Sequence, residues 1–496
     1  MTLWQADLEQ QIQTQPDALA VQDSLGTRWT YGDLDAAIEA MRATLAAHGA
    51  RRGHRVMLLA ENCAAAVAVL FACARSGICV IPINARQTAL EVQRVLAHAE
   101  PFLVMATSAI SPEARAHADR MGGMEVSGPF GTLHLCETGP ADTETPEDVA
   151  VLLYTTGTTG TPKGVMITHG NLHFAGRAAL AFRDLHPGHI VYGVGPISHV
   201  MGLASMLTAT LSAGATVVLE ARFDVGRLYQ ALRSGVSHLP AVPQLHALLM
   251  QYVRRQGLER LQSDTLVYVS SGGAPLDPDW KARAEAFYGL ALQNGYGMTE
   301  TTAATNITHS IKDDPDTSVG PLVPGVEMQI DESVHGGGDG VGEVLVRGPN
   351  IMKGYFRNPE ETSSVLSPDG WLRTGDLGCI DEQERLHIMG RSKELIIHGG
   401  FNVYPPEVEA ALNEHPQVVQ SAVIGRLVAG DEKVIAFVQS DPSDRPELEE
   451  LRSFAAERLT GYKRPTQIIV VDELPAAQSG KILKHKLLEN FADQLA

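Results

Sequence analysis

The sequence predicts an α/β fold followed by a small α+β domain of its own. Three observations carry this. Across residues 1–150, short apolar runs alternate with helical patterns, the mark of buried and mostly parallel strands. Past residue 390 the texture changes: charged residues become denser, and the order is hairpin, helix, strand, strand, helix. The chain has 496 residues, and at roughly 100–200 residues per domain that length allows two to four structural units.

The elements follow in order. Leu8 and Ile12 at helical spacing predict a short amphipathic helix. Thr30–Ala47 is helical, with Leu34, Ala37, Ile38, Met41 and Leu45 on one face. Arg55–Ala60 is a strand, Ala64–Ala74 a buried helix, and Cys79–Ile83 a second strand. Glu91–Ala99 is helical and Phe102–Ala106 extended. The polar stretch Gly122–Glu147, rich in Gly, Thr and Pro, is expected to be a connecting loop with little regular structure. Val151–Tyr154 is a strand leading into a Gly/Thr loop. Met201–Leu219 carries no charge, but Gly202, Ser205, Thr208, Thr210, Ser212, Gly214 and Thr216 make it too polar for a membrane span. It is expected to be a buried helix, a turn near Gly214 and the strand Ala215–Leu219. Gly336–Gly340 is a surface turn ahead of the strand Gly342–Arg347. After the strand Arg385–Met389 a domain boundary falls near Gly390–Lys393. Beyond it come the helix Pro406–Asn413, the strands Ser421–Gly425 and Lys433–Gln439, and the helix Glu447–Leu459. No internal repeat appears at a fixed period.

Composition removes several function classes. Hydrophobic residues make up 44% and charged residues 20%, the balance of a soluble globular protein and not of a disordered one. Lys+Arg number 39 against 58 Asp+Glu, a formal net charge of −19. That argues against a nucleic-acid partner, since phosphate backbones are held by Lys and Arg. A local basic pocket for a small phosphate ligand stays compatible with it. The five cysteines are an odd number without a CxxC, so neither a disulfide framework nor a zinc site is expected, and a cytoplasmic location fits. The N-terminal residues lack the basic and apolar regions of a signal peptide.

The most informative segment is Tyr154–Gly164, YTTGTTGTPKG. It packs Thr155, Thr156, Gly157, Thr158, Thr159, Gly160 and Thr161 directly after a strand. Glycines let backbone N–H groups close on an anion, Thr hydroxyls add donors, and Lys163 adds positive charge. This is a phosphate-cradling loop. It is not a Walker A loop, because Pro162 precedes Lys163 and Gly164 follows it.

At these residues the chain resembles the acyl-adenylate-forming enzymes. That family includes acyl- and aryl-CoA synthetases, firefly luciferase and the adenylation domains of nonribosomal peptide synthetases. The resemblance recurs in order along nearly the whole chain: Pro196–Gly202 (PISHVMG), Ser271–Leu276 (SGGAPL), Asn294–Glu300 (NGYGMTE), Gly342–Arg357, Trp371–Leu377 (WLRTGDL), Gly390–Glu409 and Leu474–Leu483 (LPAAQSGKIL). It implies a large N-terminal α/β domain with several sheets (residues 1–390), a hinge, and a small mobile α+β C-terminal domain (391–496). It also implies two half-reactions. A carboxylate attacks the α-phosphate of ATP to give acyl-AMP and pyrophosphate, and a thiol, usually coenzyme A, then displaces AMP.

Each residue that the resemblance marks suits its implied role. The Gly/Thr loop through Lys163 would hold the β- and γ-phosphates. Gly272, Gly273, Ala274 and Pro275 would line the adenine, with Asn294 offering an amide, Tyr296 a flat face, and Gly297 space beside them. Asp376 suits the ribose hydroxyls, because an ionised carboxylate only accepts. Arg391 is the second ribose contact. Thr299 would reach the α-phosphate, and Glu300 offers a hard oxygen for Mg²⁺. Lys481 is the cation between the attacking carboxylate and the phosphate, a point charge on a long stem. Ala476 and Ala477 stand where the family often has a basic residue and a Thr. Lys393 is the implied hinge. Gly399 and Gly400 leave room for the pantetheine arm, and Tyr462, Lys463 and Arg464 face the coenzyme A nucleotide.

The acyl group would lie against His199, Val200, Met201, Gln244 and Met298. These segments contain no Arg or Lys, so the expected substrate is a monocarboxylate with an apolar or aromatic body, a medium-chain fatty or aryl acid. Two alternatives stand beside the CoA synthetase. One is a stand-alone adenylation enzyme that loads the phosphopantetheine of a carrier protein. For an amino-acid substrate it would want an Asp in the PISHVMG segment, and none is there. The other is a nucleotide-binding pseudo-enzyme, against which Lys481, Glu300 and Asp376 argue. A luciferase-like oxygenase on the same scaffold is a more remote reading.

Overall fold

The computed structural model describes residues 2–139, 145–156, 162–273, 276–399, 401–428, 431–477 and 482–495. Two eight-stranded sheets dominate it. In one, the strands Leu19–Asp23, Thr216–Leu219, Ile190–Gly193, His238–Ala241, Tyr268–Gly272 and Leu292–Met298 run parallel, and Ala303–Ile307 closes an edge antiparallel. In the other, Leu103–Ala106, Arg55–Ala60, Cys79–Asn84 and Val149–Thr156 are parallel. Arg55–Ala60 and Cys79–Asn84 are buried throughout, as strands covered on both faces must be.

The helix Ala64–Ser76 lies in the core that both sheets share, with Ala66 to Ala74 all buried. Its residues are apolar on every face, which only a helix packed all round can tolerate. Threonines start three helices with reciprocal capping boxes: Thr30 before Tyr31–Ala47, Thr88 before Ala89–Ala99, and Thr168 before His169–Phe182. Each satisfies backbone N–H groups that the helix leaves open.

The uncharged stretch after residue 200 is a buried helix, as expected, but its first part, Met201–Thr208, is π-helical and only Ala209–Ser212 is α-helical. Thr208 bends into this wider turn: its hydroxyl donates to the Leu203 carbonyl at 2.8 Å and accepts from Trp4 Nε1 at 2.9 Å. Gly214 then turns at φ +72°, and Thr216–Leu219 is the strand.

One expectation is corrected. Gly122–Glu147 is not an irregular loop: Met124–Gly128 and Gly131–Glu137 form an antiparallel hairpin on the edge of the second sheet. Met124–Gly128 is almost wholly exposed, so polar residues on it carry no penalty, while Leu133 to Cys136 are buried on the partner strand. Polarity here marks an edge strand rather than a loop.

A four-stranded antiparallel sheet, Glu327–Asp331, Gly342–Arg347, Leu372–Ile380 and Leu386–Arg391, leads to the C-terminal part. There the hairpin Ile396–His398/Phe401–Val403, the helices Pro405–Asn413 and Leu448–Arg458, and the strands Val418–Val428, Asp431–Ser440 and Gln467–Val471 follow. They enclose an apolar cluster of their own that includes Val403, Leu412, Val434 and Leu451. Contacts to the larger part include Arg255 with Asp441 at 3.0 Å and Tyr404 Oη donating to the Gly336 carbonyl at 3.3 Å.

Candidate active site

The parallel strands of both large sheets end around one cleft. Ligands bind where loops follow the carboxyl ends of parallel strands. A cavity of about 150 Å³ there is lined by residues that follow Arg55–Ala60, Cys79–Asn84, Ile190–Gly193, Thr216–Leu219 and His238–Ala241. It brings together His199, Met201 and Gln244, three of the residues expected at the acyl group. Val200 instead packs into the core beside Leu203, and Met298 lies against the same core. Gly202 makes the approach possible, because a Cβ there would fall 2.1 Å from the Pro196 carbonyl oxygen.

Sequence reasoning missed the other wall. Asn62 stitches the Pro196–Gly202 segment to the second sheet: its amide donates to the Gly195 carbonyl at 2.9 Å and accepts from Ile197 N–H at 2.9 Å. Arg86 also lines the cavity. Its Nε lies 3.7 Å from the Glu61 carboxylate, which is fully buried and also meets Arg222 at 3.3 Å. The cavity therefore has a charged end, which the uncharged segments alone did not suggest. The available signal was a polar pair, Glu61–Asn62, at the carboxyl end of an apolar strand.

The strand Leu292–Met298, which holds Asn294 and Tyr296, runs into the Thr299–Glu300 turn. It pairs with Tyr268–Gly272, placing Ser271 beside Asn294 and Gly272 beside Gly295. The Asn294 amide is engaged by backbone, donating to the Ser318 carbonyl at 3.2 Å and accepting from Gly295 N–H at 2.9 Å. At Gly297 a Cβ would lie 1.7 Å from the Ala303 carbonyl oxygen, so only glycine fits. A Cβ built on Gly272 would lie 3.9 Å from Met201 Sδ, so this strand end lies near the segment that was expected at the acyl group.

Thr299–Thr301 is a single tight 3₁₀ turn, with Thr299 and Glu300 buried. Thr302 and Ala303 follow at φ +48° and +80°. Non-glycine residues held there cost about 1–3 kcal/mol each, and such strain collects at functional sites. The turn is held in place by Thr301, whose hydroxyl accepts from Met298 N–H at 2.9 Å and donates to the Ala303 carbonyl at 2.8 Å. Asn350 Nδ2 donates to the Thr301 carbonyl at 3.2 Å.

Asp376 is 5% exposed and sits opposite Arg391 in the register of their two strands. Its Oδ1 lies 2.9 Å from Arg391 Nε, and its Oδ2 accepts from Tyr296 Oη at 2.6 Å. The carboxylate raises the pKa of Arg391, and burial followed by Asp376 raises that of Tyr296 well above the usual phenol range. Both groups therefore keep their protons and hold Asp376 as an acceptor. Arg391 leads straight into the 3₁₀ turn Ser392–Glu394 that contains Lys393.

Thr155 and Lys163 face each other across the antiparallel pair that carries the Gly/Thr loop. Lys163 forms an ion pair with Glu361 and lies over the Tyr355 ring, 5.4 Å from its centroid. The expected roles of Gly157, Thr158, Thr159, Gly160, Thr161, Ala274, Pro275, Gly400 and Lys481, and of the Thr156 side chain, fall outside the described residues. The stem around Lys481 is described: Ala476 bridges Ile482, and Leu483 N–H donates to the Pro475 carbonyl at 2.7 Å. On the C-terminal part, Gly399 turns at φ +59° and Tyr462 stacks on Phe401 at 4.6 Å. Lys463 pairs with Glu407 at 2.6 Å, and Arg464 donates to the Leu459 and Ala456 carbonyls at the end of a helix.

The family model for AMP-binding enzymes matches residues 8–356, and the model for the AMP-binding enzyme C-terminal domain matches residues 407–481. The chain belongs to the AMP-binding enzyme family. It is similar to a feruloyl-CoA synthase of Amycolatopsis sp, 34% identical over 486 residues covering 96% of each chain. It is similar to 4-coumarate–CoA ligase 1 of Oryza sativa subsp. japonica, 31% identical, covering 92% of this chain and 86% of that protein. Among solved structures, ATP-bound MatB from Rhodopseudomonas palustris superposes with a TM-score of 0.85 at 31% identity, covering 98% of this chain and 99% of that one. This AMP-binding enzyme is thus a carboxylate–CoA ligase that uses ATP, Mg²⁺ and coenzyme A. Among its described residues no helix is long and apolar enough to cross a membrane.

Proposed function

We propose that the enzyme activates an aromatic, hydroxycinnamate-like monocarboxylate, and that the residues assembled at the cleft divide the two half-reactions between them. The observation that supports this is the closeness of the two segments: a Cβ built on Gly272 would lie 3.9 Å from Met201 Sδ, so the segment expected at the nucleotide lies near the one expected at the acyl group. Asp376, held between Tyr296 and Arg391, takes the ribose. Lys163 and the Thr-rich loop take the β- and γ-phosphates. Thr299 and Glu300, fixed by their strained turn, face the α-phosphate.

Glu300 fits Mg²⁺, a hard cation bound through one or two carboxylates together with substrate phosphates. When bound it supplies charge neutralisation at the phosphates. Lys481 enters from the C-terminal part and neutralises the repulsion between the attacking carboxylate oxygen and the α-phosphate. The described residues on either side of it are tied by the Ala476–Ile482 bridge.

For thioester formation the C-terminal part turns about Lys393 and presents the Gly399–Gly400 hairpin. The thiol belongs to coenzyme A rather than to a carrier protein. The cytoplasm suits a chain whose cysteines are all free.

The aromatic class is supported by the relatives, which are a feruloyl-CoA synthase and a 4-coumarate–CoA ligase. The test is a panel of acids scored for CoA-thioester formation at equal enzyme concentration. Cinnamic and benzoic acids should be preferred over octanoic acid by at least about ten-fold in kcat/KM, a difference of 1.4 kcal/mol in transition-state binding. A preference for the fatty acid would overturn the aromatic assignment.

A further inference from the structure

Residues 352–361 touch both halves of the phosphate site. Met352 N–H donates to the Glu300 carbonyl at 2.8 Å, so the segment begins on the Thr299–Glu300 turn. Lys353 N–H then donates to the Met166 carbonyl at 2.9 Å and Phe356 N–H to the Gly164 carbonyl at 2.7 Å. Gly354 and Tyr355 pair with Met166 and Val165, on the strand that leaves the Gly/Thr loop.

The side chains repeat this double attachment. Tyr355, 7% exposed, donates its hydroxyl to Glu300 Oε1 at 2.8 Å. Its ring lies under the Lys163 ammonium. Glu361, six residues on, pairs with that same ammonium. The turn between them is fixed: Tyr355 N–H donates to Thr362 Oγ1 at 2.9 Å, Glu361 N–H donates to the capping Asn358 Oδ1 at 3.1 Å, and Gly354 sits at φ +140°.

We propose that Tyr355 is a positioning residue for the metal carboxylate, and that the segment from Tyr355 to Glu361 sets Glu300 and Lys163 as one unit. The inference rests on the assignment of Glu300 to Mg²⁺. A carboxylate has two oxygens and free rotation about its last bond. Tyr355 occupies one of them and so fixes the orientation of the other. Glu361 limits the travel of the lysine that meets the outer phosphates, so the metal oxygen and the ammonium keep a constant separation. Groups that orient a metal ligand are worth roughly 10- to 100-fold in metal affinity or activity when removed.

Tyr355→Phe keeps the ring under Lys163 and deletes only the hydroxyl. The half-saturating Mg²⁺ concentration for pyrophosphate release should rise by roughly 10-fold or more. Binding of Mn²⁺·ATP, read by electron paramagnetic resonance without acid or coenzyme A, should weaken by a similar factor. Thioester formation from synthetic acyl-AMP, which uses no triphosphate, should be unchanged and doubles as the control for folding. Glu300→Gln is measured alongside. If Glu300→Gln weakens Mn²⁺·ATP binding and Tyr355→Phe does not, the positioning role is wrong while the metal assignment stands. If neither variant changes it, the metal assignment falls and the proposal with it.

Discussion

Lys481→Ala is expected to lower pyrophosphate release from acid and ATP by at least about 10²–10³-fold while sparing thioester formation from supplied acyl-AMP. A carboxylate approaching the α-phosphate brings two anions together, and the repulsion between them is greatest at the transition state. A fixed positive charge between them acts at that moment and needs no reorganisation. Removing a single preorganised group of this kind costs about 10²–10³ in rate. Thioester formation starts from acyl-AMP, in which the carboxylate charge has already been consumed in the mixed anhydride with the phosphate, so the lysine no longer has two anions to bring together. The check is a pair of rates on one preparation: pyrophosphate release with acid and ATP, and thioester formation from acyl-AMP. Equal losses in the two would make Lys481 a structural residue or one shared by both steps.

Lys393→Pro should give the opposite pattern, with acyl-AMP and pyrophosphate formed in a single turnover and the acyl group not passed to coenzyme A. Lys393 is the middle residue of the turn Ser392–Glu394, between the Asp376–Arg391 pair and the C-terminal hairpin. Just beyond it Glu394 is tied to Lys484 at 3.3 Å, and Lys484 also meets Glu409 at 2.7 Å. These contacts tie the residue just past the turn to the C-terminal part, so a rotation of that part is expected to be absorbed within the turn. A hinge is a position free to change φ and ψ. Proline fixes φ near −65° and constrains the residue before it. The expected result is a pyrophosphate burst close to that of the parent enzyme and little thioester from synthetic acyl-AMP. Normal thioester formation would move the hinge elsewhere or remove the need for one.

Much of the fold was legible because its strands are apolar runs of the right length. Arg55–Ala60 and Cys79–Asn84 are buried on both faces, and runs this short and this apolar fit parallel interior strands. The hairpin at Met124–Glu137 was not legible, because an edge strand that faces water has the composition of a loop. Within the cleft, short ordered motifs marked Asp376, Glu300 and Tyr296, whose partners lie on neighbouring strands. The contacts that brace the cleft across the sheets escaped notice for a different reason. Asn62 and Ile197 are 135 residues apart, Tyr355 and Glu300 are 55 apart, and Lys163 and Glu361 are 198 apart. No local spacing encodes such contacts. They exist only once the sheets have assembled, which is why the braces of a site are harder to read than the groups that do its chemistry.

The central claim is that the carboxylate of the acid attacks the α-phosphate of ATP. The most direct measurement supplies an accepted acid labelled with oxygen-18 in both carboxylate positions and analyses the products by mass spectrometry after complete conversion with coenzyme A. Attack at the α-phosphate leaves a single labelled oxygen on AMP, the other in the thioester carbonyl, and none in pyrophosphate. Label in pyrophosphate or inorganic phosphate, or AMP without label, would contradict the adenylate route.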